Sequence, residues 1–516
     1  MTSNTTVKTT AGMVRGSSQD GVLSFRGIPY GASTAGANRF RAPQPVAPWD
    51  GVLDALANRP SCPQPMMTTG GISLDPELME MLGAGMVPES QDEDCLSLNV
   101  WTPATDGAPR PVMVWFHGGG WTVGSGNSPM YDGTRLARRG DVVIVTITHR
   151  LGAPGYLSLR DIPGATERDG ADSGVAGALD MVAALEWVRD NIAAFGGDPS
   201  CVTIFGESGG GAKVCTLLAM PSAVGLFHRA IVQSGPMLRA TPADDAATTT
   251  RAIMAKLGVA DVDGLRAVPH EQLIEAQLDV LGGALGGFGT GHRLGPVLSD
   301  ALPVHPFDPD AAQSAADVPL LIGTCRDEMT LFATAMPGLD QLTFEALPSV
   351  VAMVAGEGSQ QLIGVYRSTR PQTTAADVLC AIWTDKAMGV ASVRLAERKM
   401  AGGPAPTYLY RLDYTTPVLG GKLGVPHALD LGFMFDNLHV NTLYGGREGA
   451  QDLADRMADA WIAFARTGDP NHPGLPRWPA YDTSRRATML FDERCLVADD
   501  PSGVERAAWD GHVLGL

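Results

Sequence analysis

Seven short apolar runs punctuate the chain: 112–116 (VMVWF), 142–148 (VVIVTIT), 202–205 (VTIF), 230–233 (AIVQ), 319–323 (PLLIG), 407–412 (TYLYRL) and 488–491 (TMLF). They are rich in β-branched and aromatic residues, too short for buried helices, and bounded by glycine, proline or charge, so they predict strands. Between them, apolar positions recur at helical spacing over 174–194 and over 448–466, where Leu453, Met457, Trp461 and Phe464 share one face. Thr467-Gly468-Asp469-Pro470 then reads as a helix stop. Apolar runs without polar alternation belong to strands buried on both faces. The alternation of strand and helix therefore predicts an α/β fold, with a mostly parallel central sheet flanked by helices.

Composition narrows the class. Of 516 residues, 44% are hydrophobic and 18% charged, enough for a large core in a globular protein. The net charge of −18 argues against nucleic acid or an anionic membrane as a partner. No run of 18 apolar residues predicts a membrane span, and the polar start, MTSNTTVKTTAGMVRG, has no apolar leader core. Seven cysteines scattered along the chain do not form a disulfide framework. Together these features predict a cytoplasmic protein with mostly reduced thiols. No repeat and no Ser/Gly linker divides the chain, so 1–516 reads as one domain. The Gly-rich stretch 281–295 (LGGALGGFGTGHRLG) reads as a surface loop rather than a phosphate cradle, because no strand-then-helix pattern surrounds it.

Chemistry enters at 206–210, Gly-Glu-Ser-Gly-Gly, between the run VTIF and the helix-forming AKVCTLLAM. This is the G-x-S-x-G arrangement, in which a serine sits at the apex of a strained strand-to-helix turn and glycines relieve the clashes around it. In a chain with 62 glycines the pattern alone is weak; its context, strand before and helix after, is stronger. The helix also turns its free N–H groups toward Ser208. A second Gly-rich turn, His117-Gly118-Gly119-Gly120-Trp121, follows the run VMVWF. Three glycines in a row free the backbone to aim N–H groups at a developing oxyanion. Two such turns at strand ends predict a converging site.

With these motifs in hand, the chain resembles the type-B carboxylesterases of the α/β-hydrolase superfamily, the group of the para-nitrobenzyl esterases and cholinesterases. The likeness runs from about residue 7 to about residue 495. It is carried by FRGIPYG (25–31), RFRAPQPVAPWDG (39–51), EDCLSLNVW (93–101), HGGGW (117–121), ALEWVRDNIAAFGGDPSCVTIFGESGGG (184–211), GLFHRAIVQSG (225–235) and WIAFARTGDPN (461–471). The resemblance implies an α/β-hydrolase fold with helical insertions over the active site, around 63–94 and 240–400. It implies a serine hydrolase that cleaves carboxylic esters of small molecules through an acyl-enzyme, with no cofactor and no metal. A carbamate or amide hydrolase, an acyltransferase, and a non-catalytic binding protein are the competing readings.

Residue roles follow from the same likeness. A serine needs a base, and eight histidines lie downstream of Ser208, among which the residues alone do not choose. The resemblance selects His427 in GVPHALDLGFMF (424–435), where Ala428 stands in place of the glycine that many members carry. Asp327 and Glu328 are adjacent past the run PLLIG, and either could orient an imidazole; the family pattern selects Glu328. Gly119, Gly120 and Gly209 are the implied oxyanion donors. Trp121 and Glu207 are candidate substrate-facing side chains, Glu207 adding negative potential. The likeness also implies ion pairs Arg39–Glu93 and Arg150–Asp180, which fix loop geometry. Cys62 and Cys95 match a family disulfide, and the sequence does not decide whether it forms here. Acyl and alcohol preferences and oligomeric state are not legible.

Overall fold

The computed structural model describes residues 5–65, 90–283, 291–336, 338–440, 443–444 and 448–515. In chain order its strands are β1 (Thr6–Lys8), β2 (Met13–Arg15), β3 (Ser17–Gln19), β4 (Val22–Pro29), β5 (Val52–Asp54), β6 (Ser97–Thr102) and β7 (Arg110–Phe116). They continue as β8 (Val143–Ile147), β9 (Gly197–Glu207), β10 (Arg229–Gln233), β11 (Leu320–Cys325), β12 (Thr407–Leu412), β13 (Ala487–Phe491) and β14 (Leu496–Asp499). The first, second and fifth form a small separate sheet. The others form one eleven-stranded sheet in the order β3-β4-β6-β8-β7-β9-β10-β11-β12-β13-β14.

From β8 to β13 every pairing is parallel. The pairings of β3, β4 and β6 at one edge and of β14 at the other are antiparallel. The seven apolar runs are the seven parallel strands, because only strands covered on both faces lose their polar alternation. β7 shows the two-sided burial. Val112, Val114 and Phe116 enter one core, while Met113 and Trp115 enter the other. The first core packs helix Ala176–Asn191 through Met181, Leu185 and Val188. The second packs helix Ala450–Thr467 through Leu453, Met457, Trp461 and Phe464. That helix ends where the sequence predicts, on Gly468 in the left-handed region (φ 79°), whose N–H closes on Phe464 O at 2.8 Å.

The stretch 240–400 is not one excursion from the sheet. Helices Ala243–Leu257, Val262–Ala267 and His270–Leu281 precede β11, and a second helical group from Thr330 to Gly402 follows it, so a central strand divides the two. Most of the 63–94 segment and residues 284–290 of the Gly-rich stretch lie outside the described residues. Among the described residues no helix is long and apolar enough to cross a membrane.

Two buried ion pairs hold loops to this frame. Arg150, just past β8, meets Asp180 with Nη2–Oδ1 at 2.6 Å and Nε–Oδ2 at 2.8 Å; both side chains are essentially inaccessible. Arg39 meets Glu93 in the same forked manner at 2.6 and 2.7 Å and also donates to the Arg266 and Val268 carbonyls. Cys62 and Cys95 are buried free thiols, and the Cys62 sulfur accepts from Leu151 N–H at 3.3 Å. A buried pair returns little against two apolar residues, but removing one member strands the other charge. Asp180→Ala is therefore expected to cost about 3–5 kcal/mol, read as a lowered midpoint in urea denaturation against wild type. A change below measurement error would show that Arg150 is not held by this carboxylate.

Candidate active site

β9 ends at Glu207 and helix Gly209–Leu218 begins at once, leaving Ser208 alone to make the turn, at φ 56° and ψ −125°. A non-glycine residue with positive φ persists only when its surroundings over-determine it. Here Ser208 N–H is held by Gln233 O of β10 at 2.8 Å, and Ser208 O accepts from Ala212 N at 3.2 Å. A Cβ on Gly210 would overlap Phe116 O at the end of β7, and one on Gly206 would overlap Gly210. The glycines are there because three pieces of main chain occupy one place.

The loop after β7 runs alongside. Several of its carbonyls are tied back: Gly118 O faces His117 Nδ1 at 2.8 Å, Gly119 O accepts from Val123 N at 3.1 Å, and Trp121 O accepts from Gly152 N at 2.7 Å. His117 O accepts from Lys213 Nζ at 2.8 Å. Gly119 and Gly120 take φ of 86° and 59°, and among the described residues their N–H groups have no acceptor. Gly209 packs against Gly120, and its N–H lies in the first helical turn, where no intrahelical acceptor exists. Three unused N–H groups thus stand beside Ser208.

The third component comes from β11 and a distant loop. Glu328, fully buried, accepts from His427 Nδ1 at 2.6 Å through one oxygen. Its other oxygen accepts from Cys325 N–H at 2.7 Å and Ser234 Oγ at 2.5 Å. Neighbouring Asp327 turns the other way, accepting from Val425 N–H at 3.0 Å and pairing with Arg326. The adjacent carboxylates therefore diverge, and the imidazole meets the glutamate. Ala428, after the histidine, sits at φ 65°. His427 Nε2 lies 3.2 Å from Glu207 Oε1. Ser208, half-buried, opens on the same cavity as His427, and among the described residues its hydroxyl has no hydrogen bond.

Three buried carboxylates surround this one imidazole. Burial opposes an imidazolium at His427, but Glu207 and then Glu328 outweigh it and push its pKa up to about 9. Burial pushes Glu207 up to about 8 despite the opposing pull of His427. Asp430 is raised by burial too, against the hydrogen bonds of Tyr410 (2.7 Å) and Gln233 (2.9 Å) to its Oδ2. His427 and Glu207 titrate as a pair.

The carboxylesterase family model matches residues 3–507. The chain belongs to the carboxylesterase family. It is 36% identical to a para-nitrobenzyl esterase of Bacillus subtilis over 507 residues, 97% of each chain. It is also 36% identical to a phenmedipham hydrolase of Pseudarthrobacter oxydans over 502 residues, 95% of this chain and 96% of that one. A solved carboxylesterase structure from Geobacillus stearothermophilus superposes with a TM-score of 0.85 at 39% identity, covering 98% of this chain and all of the other. The fold is accordingly the α/β-hydrolase fold, and this carboxylesterase is a carboxylic ester hydrolase acting on small-molecule esters.

The carboxylesterase cavity measures about 1810 Å³, above the range of about 300–1,000 Å³ common for ligand pockets. Its walls include Trp121, Met237, Phe332, Trp383 and Met388. Trp121 stands edge-on to Tyr156, with centroids 5.0 Å apart, and Phe332 lies 5.1 Å from the His427 ring. Trp383 precedes and Met388 lies within a π-helical turn, Asp385–Gly389, which re-aims side chains within an otherwise α-helical run. Of these walls sequence reasoning named Trp121 alone; it missed Met237, Phe332, Trp383 and Met388, and Ser234 and Lys213 as neighbours of the site. Ser234 was visible only as part of the motif ending VQSG, with nothing to link it to Glu328 across 94 positions. Among the described residues no group of His, Cys, Asp or Glu offers a metal three ligands.

Two outcomes follow. Ala428→Gly should raise stability by about 0.5–1 kcal/mol, the left-handed penalty of alanine less the entropy of glycine, measured by thermal melting; a loss would mean the methyl packs favourably. Glu207→Gln removes the largest influence raising His427, so the imidazole titration followed by NMR should fall by about one to three pH units. An unmoved titration would show the two groups do not interact.

Proposed function

We propose that this carboxylesterase works through an acyl-enzyme on Ser208. In its neutral form, the minority form below its raised pKa of about 9, His427 takes the hydroxyl proton as Ser208 Oγ attacks the ester carbonyl, and the carbonyl oxygen becomes an anion held by the N–H groups of Gly119, Gly120 and Gly209. His427, now an imidazolium steadied by Glu328, gives its proton to the departing alcohol, and the ester C–O bond breaks. Water then enters, loses a proton to His427, attacks the acyl carbon and releases the acid, and the proton returns to Ser208. Arg39–Glu93 and Arg150–Asp180 keep their structural parts in this reading.

The observation that supports it most is a convergence. Ser208 on a left-handed turn, three unused N–H groups, and an imidazole held at Nδ1 by a buried carboxylate face one cavity, although they come from four separate parts of the chain. Because those parts extend from 117 to 427 and all rest on one sheet, the chain is best read as a single catalytic unit, with the described helices of 240–400 as its cover. The free cysteines suit a reducing, cytoplasmic setting. Trp121 and Glu207 face the substrate, the one as an aromatic wall and the other as a negative neighbour of the imidazole.

Turnover of p-nitrophenyl acetate, butyrate, octanoate and laurate by wild type and Ser208→Ala tests the reading, with an activated carbamate and phenmedipham in parallel. The variant should lose about 10⁴-fold or more in kcat, and a fluorophosphonate should label wild type at Ser208 only. The cavity volume predicts that octanoate is turned over at least as well as acetate. A Ser208→Ala protein that keeps its rate overturns the assignment. Turnover of the carbamate in preference to every ester would move the substrate class, not the nucleophile.

A further inference from the structure

Lys213 lies on the helix that begins beside Ser208, five residues further on, with no exposed surface. Its ammonium donates to His117 O at 2.8 Å and stands over the Trp121 ring, 5.9 Å from the centroid. Among the described residues no carboxylate pairs with it. The two nearby imidazoles, His117 and His149, stack 4.8 Å apart and nearly parallel; burial, and after it the charge of Lys213, keep both below their ordinary range and so neutral. A buried ammonium with one carbonyl and an aromatic face for company is costly, and its desolvation is not returned by a counter-ion. The carbonyl it holds opens the loop that carries Gly119 and Gly120. Four carbonyls of the loop, those of His117, Gly118, Gly119 and Trp121, are tied back; of the four ties, only that of Lys213 comes from the helix that follows Ser208.

We infer that Lys213 is a positioning residue for ester cleavage: its hydrogen bond locks the His117 carbonyl so that Gly119 and Gly120 keep their N–H groups on the oxyanion. This rests on the reading of Gly119, Gly120 and Gly209 as the oxyanion donors. The hydrogen bond couples the donor loop to the nucleophile's own helix, so the two halves of the site move together. Burial pushes the Lys213 amine down to about 7, so the hydrogen bond, which either protonation form can donate, does the positioning, and the protonated form adds a charge that water screens little.

The test uses the full chain with Lys213→Met, which has neither donor nor charge, and Lys213→Gln, which retains a donor. Three readouts are compared: kcat and KM for p-nitrophenyl butyrate, affinity for an alkyl trifluoromethyl ketone, and affinity for the matching methyl ketone. The fluorinated ketone imitates the intermediate: Ser208 Oγ adds to its carbonyl carbon, the serine proton passes to His427, and the carbonyl oxygen becomes the bound anion. The methyl ketone binds without addition. Lys213→Met should melt cooperatively and lose about 10- to 100-fold in kcat at nearly constant KM. Its affinity for the trifluoromethyl ketone should fall by a matching factor while that for the methyl ketone holds, and Lys213→Gln should recover part of both losses. Wild-type kcat and trifluoromethyl ketone affinity in folded Lys213→Met would overturn the inference, as would equal loss of affinity for both ketones, the mark of a merely structural lysine. If Lys213→Met does not fold, Lys213→Gln is judged by the same comparison. If wild type itself forms no adduct on Ser208, the oxyanion reading fails first and this inference with it.

Discussion

At the C-terminal ends of β7 and β9 main chain lies directly on main chain. Phe116 O occupies the space where Gly210 would carry a Cβ, Gly120 crowds the same position on Gly209, and Gly210 does so on Gly206. The parallel pairing of the two strands, in register from Val112 with Val202 to Phe116 with Gly206, is what delivers both turns to that spot. The left-handed serine, the donor loop and the start of the following helix all depend on this contact being free of side chains. The two apolar cores on either face of the sheet hold the strands in that register.

The polar side of the site is a problem of burying charge. Glu207, Glu328, Asp430 and His427 share a nearly water-free region, and each is restrained differently. Glu328 uses both oxygens, on Cys325 N–H and Ser234 at one side and on His427 at the other. Asp430 is anchored by Tyr410 and Gln233, and Gln233 in turn accepts from Trp461 Nε1 at 3.1 Å. Glu207 is left with His427 as its near neighbour. A low dielectric makes such an arrangement sensitive to each partner, which is why the imidazole's proton affinity is governed mainly by the carboxylates around it.

Much of this was legible in sequence, for physical reasons. A strand buried on both faces cannot hide its composition, so the seven parallel strands stand out, whereas β3, β4, β6 and β14 mix polar and apolar positions and pair antiparallel at the edges. Ser208 and the three glycines after His117 were legible because a crowded turn restricts its residues locally. His427 and Glu328 were not, since their meeting spans 99 positions and needs only one of many histidines and one of two adjacent acids; family resemblance, not residue chemistry, picked them out. Lys213 was the least visible. A lysine in a helix reads as a solvent-facing position, and only three-dimensional packing reveals that this one faces inward.

One feature of the donor loop has an evolutionary side. The groups aimed at the reacting oxygen are peptide N–H groups, which every codon but proline's supplies, and their placement is set by strand register and by the exclusion of Cβ atoms. The cavity walls are side chains drawn from several separate segments, each open to substitution. Inheritance is thus split: the chemistry is held by shape that few substitutions at the walls can reach, and selectivity by a surface that drifts. A lineage of such enzymes can exchange one ester for another while the reaction itself goes unaltered.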